Sequence, residues 1–338
     1  MNGLAAIVRV WQPGLTVPRC EPGRPTAVSC RYGRTTLVAI FLGIDGGGSK
    51  TSCLVGDEHS VRGSGEAGGS NLVRVGEVQA QEALANAVQK ACAAANIHPE
   101  DISRTCIGVA GAARPGVSDR VRRMVARMVS GDIEVVGDMV VAMEAAFGEG
   151  AGVTVIAGTG SIAYGRNSWG ETARAGGWGF AVSDEGSGHW IGRCAVAATL
   201  RARDEGEIPA LLERLLEAWQ LSDQEQLVLA ANAIPSPDFA GLFPVVLSAA
   251  ESGDAIAGAV LTQAGNELAG LAGIVAHRIF QEDKAIPVAM SGGVFANSTL
   301  VRAIFHNRLR SEYSGTALNP TVVEPVRGAL ALARRGAR

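Results

Sequence analysis

The stretch from Phe41 to Thr51 reads FLGIDGGGSKT and joins an apolar run to a cluster of glycines. The phosphate loop of P-loop NTPases requires adjacent Gly and Lys in G-x-x-x-x-G-K-[ST], whereas Ser49 separates Gly48 from Lys50 here. The residues that follow, TSCLVG, predict a β-strand instead of the helix that a Walker or Rossmann loop needs. The stretch therefore predicts a β-hairpin with a glycine turn.

A glycine turn of this kind can bind phosphate without a helix. Glycine lets the backbone approach a ligand closely and adopt positive φ, and successive N–H groups can form an anion-binding nest. Asp45, at the end of the first strand, could hold Mg²⁺ through water. The alternative is a plain glycine turn with an exposed aspartate. On the first interpretation, the residues that contact ATP are Gly46, Gly47, Gly48, Ser49, Lys50 and Thr51.

A second glycine turn lies in IAGTGSIA, residues Ile156 to Ala163. Its glycine spacing matches the dinucleotide-binding fingerprint, but that motif must open a helix, and the next residues, YGRNSWG, are too rich in glycine for one. We therefore interpret it as a second hairpin turn. It would present Gly158, Thr159 and Gly160 to the same phosphate chain.

The order of predicted elements repeats along the chain. With 338 residues, 47% of them hydrophobic and 44 of them glycine, the chain suits two α/β domains. The predicted order β-β-β-α-β-α-β-α starts again near Gly152, and a long helical segment is inserted in the second copy. We expect residues 1–36 to be a disordered extension. The first domain would span 37–149 plus the helix at 325–336, and the second domain 150–324.

Composition excludes several classes of function. The net charge is −3, and the densest arginine cluster (Arg120, Arg122, Arg123 and Arg127) lies on a predicted helix, where a solvated face is expected. We therefore predict no nucleic-acid partner. The six cysteines include no C-x-x-C pair, which is typical of a reducing, cytoplasmic setting. No apolar run is long enough to span a membrane, and the first residues lack the apolar core of a signal peptide.

Three motifs resemble those of the actin, heat-shock chaperone and sugar kinase superfamily. Two are the glycine turns, and the third, VAMSGGVFANS at Val288 to Ser298, looks like its adenosine motif. GGWGFAVSDEGSGHWIG, at Gly176 to Gly192, resembles the N-acetylglucosamine kinase branch, which is grouped with the BadF/BadG/BcrA/BcrD ATPases. The resemblance covers about residues 39 to 335. Ser183 departs from it, since the family usually has Gly before the Asp.

The resemblance implies two duplicated ribonuclease H-like (actin-like ATPase) domains with ATP in the cleft between them and a helical insertion in the second. It implies phosphorylation of an amino sugar, with N-acetylglucosamine favoured, by an enzyme that uses ATP and Mg²⁺ and could form a homodimer. Asp138 would be the general base. The adenosine motif would contribute Gly292, Gly293 and Asn297. The sugar would contact Asn71, Asp138, Ser161, Gly177, Trp178, Gly179 and Asp184.

The residues themselves leave alternatives open. Asp138 follows the strand IEVVGD and could instead be a helix N-cap. Trp178, flanked by glycines, suits an exposed sugar-binding face better than a core position. Asp184 and Glu185 precede a predicted helix, and one of them could cap it. His189 is interpreted as a packing or surface residue.

Other functions compete with that of an N-acetylglucosamine kinase. Glucosamine would favour an acid near its amino group, and N-acetylmuramic acid a basic residue for its carboxylate, for which Arg74 is conceivable. A second class is the ATPase activators of dehydratases, which hold an iron-sulfur cluster with cysteines. The chain has no cysteine in a glycine-flanked surface loop, so this class is less favoured.

Overall fold

Strand β1 (Ile40–Gly46) lies at the centre of the first sheet. The sheet is mixed: β1 pairs antiparallel with β2 (Lys50–Gly56) and parallel with β4 (Ile102–Val109). Strands β3 (Val61–Gly68) and β5 (Asp132–Gly137) form the edges, so the order is β3-β2-β1-β4-β5. The computed structural model describes residues 38–112, 114–280, 285–313 and 315–336. Residues 1–36, for which we expect a disordered extension, lie outside the described residues.

The second sheet repeats the first, strand for strand. Its order is β10-β9-β6-β7-β8, with β6 antiparallel to β7 and parallel to β9. The strands are β6 (Gly152–Ala157), β7 (Ser161–Arg166), β8 (Thr172–Gly176), β9 (Ile286–Ser291) and β10 (Thr316–Val323). The predicted duplicated α/β fold is therefore confirmed. In both copies the glycine turn joins the first two strands of the sheet.

Helices connect the strands and cover the sheets. The first half contains α1 (Leu72–Val75), α2 (Glu77–Ala95), α3 (Val117–Val125) and α4 (Asp138–Phe147). The insertion contains α5 (Gly188–Asp204), α6 (Ala210–Trp219), α7 (Gln224–Ala231), α8 (Phe243–Glu251) and α9 (Ala255–Ile279). The remaining helices are α10 (Gly293–Asn297), α11 (Thr299–Glu312) and α12 (Pro325–Arg335). Short 3-10 turns lie at Pro99–Asp101 and Phe239–Leu242.

Apolar side chains form a core on each sheet. Leu42, Ile44 and Val55 of the first sheet are fully buried against α2 and α3. The C-terminal helix α12 packs on the opposite face, where Leu330 joins Phe41 in a third cluster. Burial of this apolar surface fixes the strand ends, and with them the turns.

Some sequence-based expectations differ from the structure in detail. Helix α1, which was not predicted, begins directly after Asn71. Two separate helices, α10 and α11, follow β9, because the Ser298 side chain caps α11 by accepting the Val301 N–H. Cys194 is only half-buried, whereas Cys53 and Cys106 are buried.

The surface agrees with one further expectation. The side chains of the arginine cluster on and after α3 are exposed. Among the described residues, no single helix is long and apolar enough to cross a membrane; only the pair Phe239–Glu251 and Ala255–Ile279, bent by 116°, has the length and composition.

Candidate functional site

The first glycine turn is a tight loop at the end of β1. The Gly47 N–H donates to the Lys50 carbonyl at 2.9 Å and closes the turn. The Gly47 carbonyl in turn accepts the N–H groups of Ser70 and Asn71, at 3.0 and 3.1 Å. The turn is thereby fixed to the segment that precedes α1, and Asn71 is brought beside it.

The second turn faces the first. The Ser49 and Thr159 hydroxyl oxygens lie 2.8 Å apart, although 110 positions separate them in the chain. A Cβ on Gly48 would come within 2.9 Å of Thr159 Oγ1, so the approach requires glycine there. The structure thus brings both predicted phosphate-binding turns together.

Backbone geometry at the second turn suits a phosphate chain. Gly158 has open space where a Cβ would stand. Helix α5 abuts the turn, since the N–H groups of Gly188 and His189 donate to the carbonyls of Gly158 and Thr159, at 2.8 and 3.2 Å. The α5 N–H groups thus hold the turn in place. Open space beside small residues of a turn is a feature that anion sites use, and the residues present fit a nucleotide phosphate.

Three of the side chains that were expected to contact ATP or the sugar instead bond to other protein groups. The Thr51 side chain is buried and hydrogen-bonds to the Gly68 carbonyl and the Ser70 hydroxyl, both at 2.7 Å. Lys50 forms an ion pair with Glu66. The Ser161 hydroxyl donates to the Glu185 carbonyl at 2.7 Å. The Thr51 and Ser161 side chains therefore support the loops.

The adenosine motif lies at the end of β9, next to the second turn. Gly292 has φ of +97°, and a Cβ there would come within 2.4 Å of the Ala157 carbonyl. Glycine is therefore required both for the backbone conformation and for the close approach. Asn297 donates from its side chain to the Gly293 carbonyl at 2.7 Å, which fixes the short helix α10 beside the site.

The pKa values of three aspartates, Asp45, Asp138 and Asp184, are raised around the cleft, chiefly by burial, and the Asp138 charge raises those of the other two further. Burial raises the pKa of Asp45 to about 7, with a further increase from the Asp138 charge and a decrease from Lys50. The pKa of Asp184 is likewise raised by burial first, and by Asp138 among other charges. Shifts of this kind, caused by burial and like charges, are concentrated at functional sites.

Asp138 is the first residue of α4, directly after β5. The N-cap position is occupied by Gly137, so the expected alternative of an Asp138 N-cap is wrong by one residue. The Asp138 Oδ1 accepts the Met139 N–H at 2.9 Å. Burial raises the pKa of Asp138, while the N–H groups of the first turn lower it. One carboxylate oxygen remains outside this hydrogen bond, which is what a proton acceptor needs.

Asp184 connects the second glycine turn to the loop that carries Trp178. Its backbone has φ of +67°, an unusual conformation that aspartate tolerates better than most residues. Its carboxylate lies against Gly160, and the N–H groups of Ser161 and Gly179 lower its pKa against the effect of burial. Helix α5 is capped by Ser187, which accepts the Trp190 N–H. The alternative that Asp184 or Glu185 caps this helix is therefore wrong.

The loop from Gly177 to Gly179 presents Trp178 to solvent. The indole is 65% exposed, so a core position is excluded. The Arg174 guanidinium lies 3.9 Å from the ring centroid, which is a cation–π contact that steadies one face. The aromatic surface is therefore pre-oriented and remains accessible.

Asn71 and Arg74 approach the site from the first half of the chain. Asn71 Oδ1 accepts the Val73 N–H at 3.1 Å and caps α1, so its amide N–H₂ is the group left for a ligand. Arg74 reaches Asp238 at 2.6 Å across the mouth of the cleft. Sequence reasoning did not predict this ion pair, and no local pattern in the chain indicates it.

Within the described part of the chain, no three His, Cys, Asp or Glu side chains are arranged to hold a metal ion. Mg²⁺ needs no such cluster, because it keeps several waters and takes one or two carboxylates together with phosphate oxygens. Asp45 beside the first glycine turn fits that donor set. The described cysteines are Cys53, Cys92 and Cys106, which are buried, and Cys194, which is half-buried.

Comparisons with known proteins agree with this geometry. The model of the BadF/BadG/BcrA/BcrD ATPase family matches residues 42–333. The N-acetylmuramic acid/N-acetylglucosamine kinase of Clostridium acetobutylicum is 31% identical over 298 residues, covering 87% of this chain and 97% of the relative. The N-acetyl-D-glucosamine kinase of Dictyostelium discoideum is 29% identical over 310 residues, with the same coverage of both chains. A candidate N-acetylglucosamine kinase from Chromobacterium violaceum superposes with a TM-score of 0.69 at 26% identity, covering 88% of this chain and 99% of that one.

Proposed function

Because the chain belongs to the BadF/BadG/BcrA/BcrD ATPase family, we propose that it is a kinase that transfers the γ-phosphoryl group of ATP to an amino sugar, converting N-acetylglucosamine to N-acetylglucosamine 6-phosphate. The observation that carries the proposal is the position of Asp138. Its partly buried carboxylate shares the cleft with Asp45 and Asp184, beside two glycine turns that touch through Ser49 and Thr159.

The glycine turns bind the phosphates of ATP. Backbone N–H groups of Gly48 and Gly160 bind the phosphate chain. The Ser49 and Thr159 hydroxyls, which bond each other at 2.8 Å, turn to the phosphate oxygens instead. Gly292 and Gly293 let the adenosine lie against the backbone at the end of β9. Asp45 would hold, through water, the Mg²⁺ that accompanies ATP, and the ion would supply neutralisation of the phosphate charge.

The sugar occupies the space between Asn71, Asp138 and the loop of Trp178. The exposed indole covers the apolar face of the ring, and backbone groups of Gly177 meet the sugar hydroxyls. The Asn71 amide donates to a hydroxyl. Asp184 accepts from a hydroxyl with the oxygen that its backbone partners leave free, and it keeps the loop fixed to Ser161.

Asp138 acts as general base toward the 6-hydroxyl. Phosphoryl transfer depends mainly on positioning and charge neutralisation, and a carboxylate in reach of the attacking hydroxyl orients it and accepts its proton. The raised pKa of Asp138 makes it a better proton acceptor than an exposed aspartate. Closure of the cleft around the sugar excludes water, which would otherwise hydrolyse ATP.

The test is ADP release with ATP and Mg²⁺, measured with N-acetylglucosamine, glucosamine, glucose and no sugar. We expect N-acetylglucosamine to stimulate ADP release strongly. Asp138→Asn should lower kcat by about 10²- to 10⁴-fold, which is the usual contribution of a general base. The matched control is Asp132→Asn, which changes an exposed aspartate at the start of β5, the strand that precedes Asp138. This variant should leave kcat unchanged.

Equal ATP turnover with and without sugar would refute the proposal, because it would show that the site is not built around a hydroxyl acceptor. Equal loss of activity in both variants would show that Asp138 has no special role in proton transfer.

A further inference from the structure

A pocket of about 390 Å³ lies beside the proposed sugar site and takes no part in the mechanism above. It begins at Phe180, directly after the loop of Trp178 and Gly179, and continues along α5 past His189. The backbone N–H of His189 is bonded to Thr159 of the second glycine turn. The pocket therefore adjoins both the loop of Trp178 and the second glycine turn.

The floor of the pocket is apolar. Phe180 and Phe239 enclose the His189 ring, with centroid distances of 4.8 and 5.2 Å. Val196 and Leu200 continue the apolar surface along α5. A short aliphatic group can lie here and gain from the removal of its surface from water.

The edge of the pocket is positively charged. The pKa of His189 is lowered by burial, then by the charges of Arg74 and Arg193, and it is raised by Asp238. Arg74 is neutralised by Asp238 at 2.6 Å. Arg193 is exposed, and it makes no salt bridge with any residue that the structure describes. One cation at the edge is therefore available to an anionic ligand.

We propose that this pocket accepts an acidic ether substituent of the sugar, with the short aliphatic part on Phe180 and Val196 and the carboxylate on Arg193. The inference rests on the proposed sugar kinase function and assigns the specificity of the same site. Arg193 takes the place of Arg74, which the sequence suggested as the partner of a carboxylate, because Arg74 is already paired with Asp238. The probe is N-acetylmuramic acid, whose lactyl ether has this chemistry.

The test compares kcat/KM for N-acetylglucosamine and N-acetylmuramic acid in the full-length chain. Arg193→Gln should lower kcat/KM for N-acetylmuramic acid about tenfold, which corresponds to about 1.4 kcal/mol, and leave N-acetylglucosamine within about twofold. The matched control is Arg201→Gln, on the same helix and exposed, where Arg201 pairs with Glu205. It should change neither value.

A second pair of variants separates charge from shape. Ala197 lines the same pocket and is exposed on α5. Ala197→Glu should reject N-acetylmuramic acid and keep N-acetylglucosamine, whereas Ala197→Gln, of equal size and no charge, should affect the acidic sugar much less.

The outcomes distinguish the two proposals. Turnover of N-acetylglucosamine without turnover of N-acetylmuramic acid would overturn the inference and leave the kinase function standing. An equal loss for both sugars in Arg193→Gln would also overturn it, because Arg193 would then not discriminate between them. Turnover of neither sugar would overturn the kinase function and the inference with it.

Discussion

Trp178 is held on one face by Arg174 and is 65% exposed. If the exposed indole surface covers the sugar ring, Trp178→Ala should raise KM for N-acetylglucosamine about tenfold, or about 1.4 kcal/mol of binding. The melting temperature should change little, because an exposed side chain contributes little to the core. The control is Trp169→Ala, since Trp169 is 73% exposed in the turn between β7 and β8. Equal effects of the two variants on KM would contradict the assignment.

Single residues also show where sequence reasoning stops. Asp184 could be selected from the motif GGWGFAVSDEGS, but its role in the loop could not. Its backbone lies at φ of +67°, and it accepts N–H groups from Ser161, in β7, and from Gly179. Ser161 is 23 positions away, and the contact exists only once the second sheet has formed. Ser187, not an acid, caps α5 because its hydroxyl reaches the Trp190 N–H.

At the scale of elements, α12 approaches α4 closely enough to require glycine. A Cβ on Gly328 would lie 1.9 Å from the Val141 carbonyl and 2.6 Å from the Ala145 nitrogen. Gly328→Ala should therefore lower the free energy of unfolding, since overpacking costs about 1–3 kcal/mol and outweighs the ~1 kcal/mol that alanine gains in a helix. Urea unfolding measures the change.

The matched control is another glycine within a helix. Gly270, inside α9, has nothing within 4 Å of a built Cβ. Gly270→Ala should therefore raise the free energy of unfolding by up to ~1 kcal/mol. The packing explanation fails if both variants change stability in the same direction.

The β2–β3 turn depends on one charged group. Asp57 accepts the His59 and Ser60 N–H groups, each at 2.8 Å, and pairs with Arg62 at 2.7 Å. The His59 N–H, then the Ser60 N–H and then Arg62 hold the pKa of Asp57 well below its usual range. A lowered folded-state pKa stabilises the protein above the unfolded value of about 3.9, and the stabilisation is lost as the pH falls below it.

The corresponding prediction concerns Asp57→Asn, which keeps an acceptor and loses the charge. The wild type should unfold at higher temperature than the variant at pH 7, and the difference should shrink as the pH is lowered from about 5 to 3. Asp132→Asn, which changes an exposed aspartate at the start of β5, serves as control. A difference that is constant with pH would show that the charge of Asp57 does not stabilise the turn.

At the scale of the molecule, the duplicated order of strands could be predicted because each copy carries its own local pattern. Apolar runs joined by glycine turns define the hairpins β1-β2 and β6-β7. The same five-strand order is found in both sheets. The individual contacts between the copies could not be predicted. The Ser49–Thr159 and Arg74–Asp238 contacts join residues 110 and 164 positions apart, and no periodicity encodes such pairs. The division of the chain at residues 149 and 150 remains a prediction.

The Arg74–Asp238 pair is the charged contact between the Asn71 segment and the helical insertion, and we expect it to favour closure around the sugar. Arg74→Gln and Asp238→Asn should each lower kcat/KM for N-acetylglucosamine about two- to fivefold, within the range of about 0.2–1 kcal/mol for exposed pairs. Asparagine at 238 keeps the acceptor for the Gly241 N–H, which now bonds Asp238 at 3.1 Å. The double variant should be no worse than either single one, because both remove the same interaction.

Salt provides an independent measurement of the same pair. In about 1 M salt, where the screening length is about 3 Å, the wild type should approach the activity of the variants. Removing the exposed Arg201–Glu205 pair within α5 should leave kcat/KM unchanged at any salt concentration. Additive losses in the double variant would mean that Arg74 and Asp238 act separately, and closure of the cleft would then have to depend on the glycine turns and on the sugar itself.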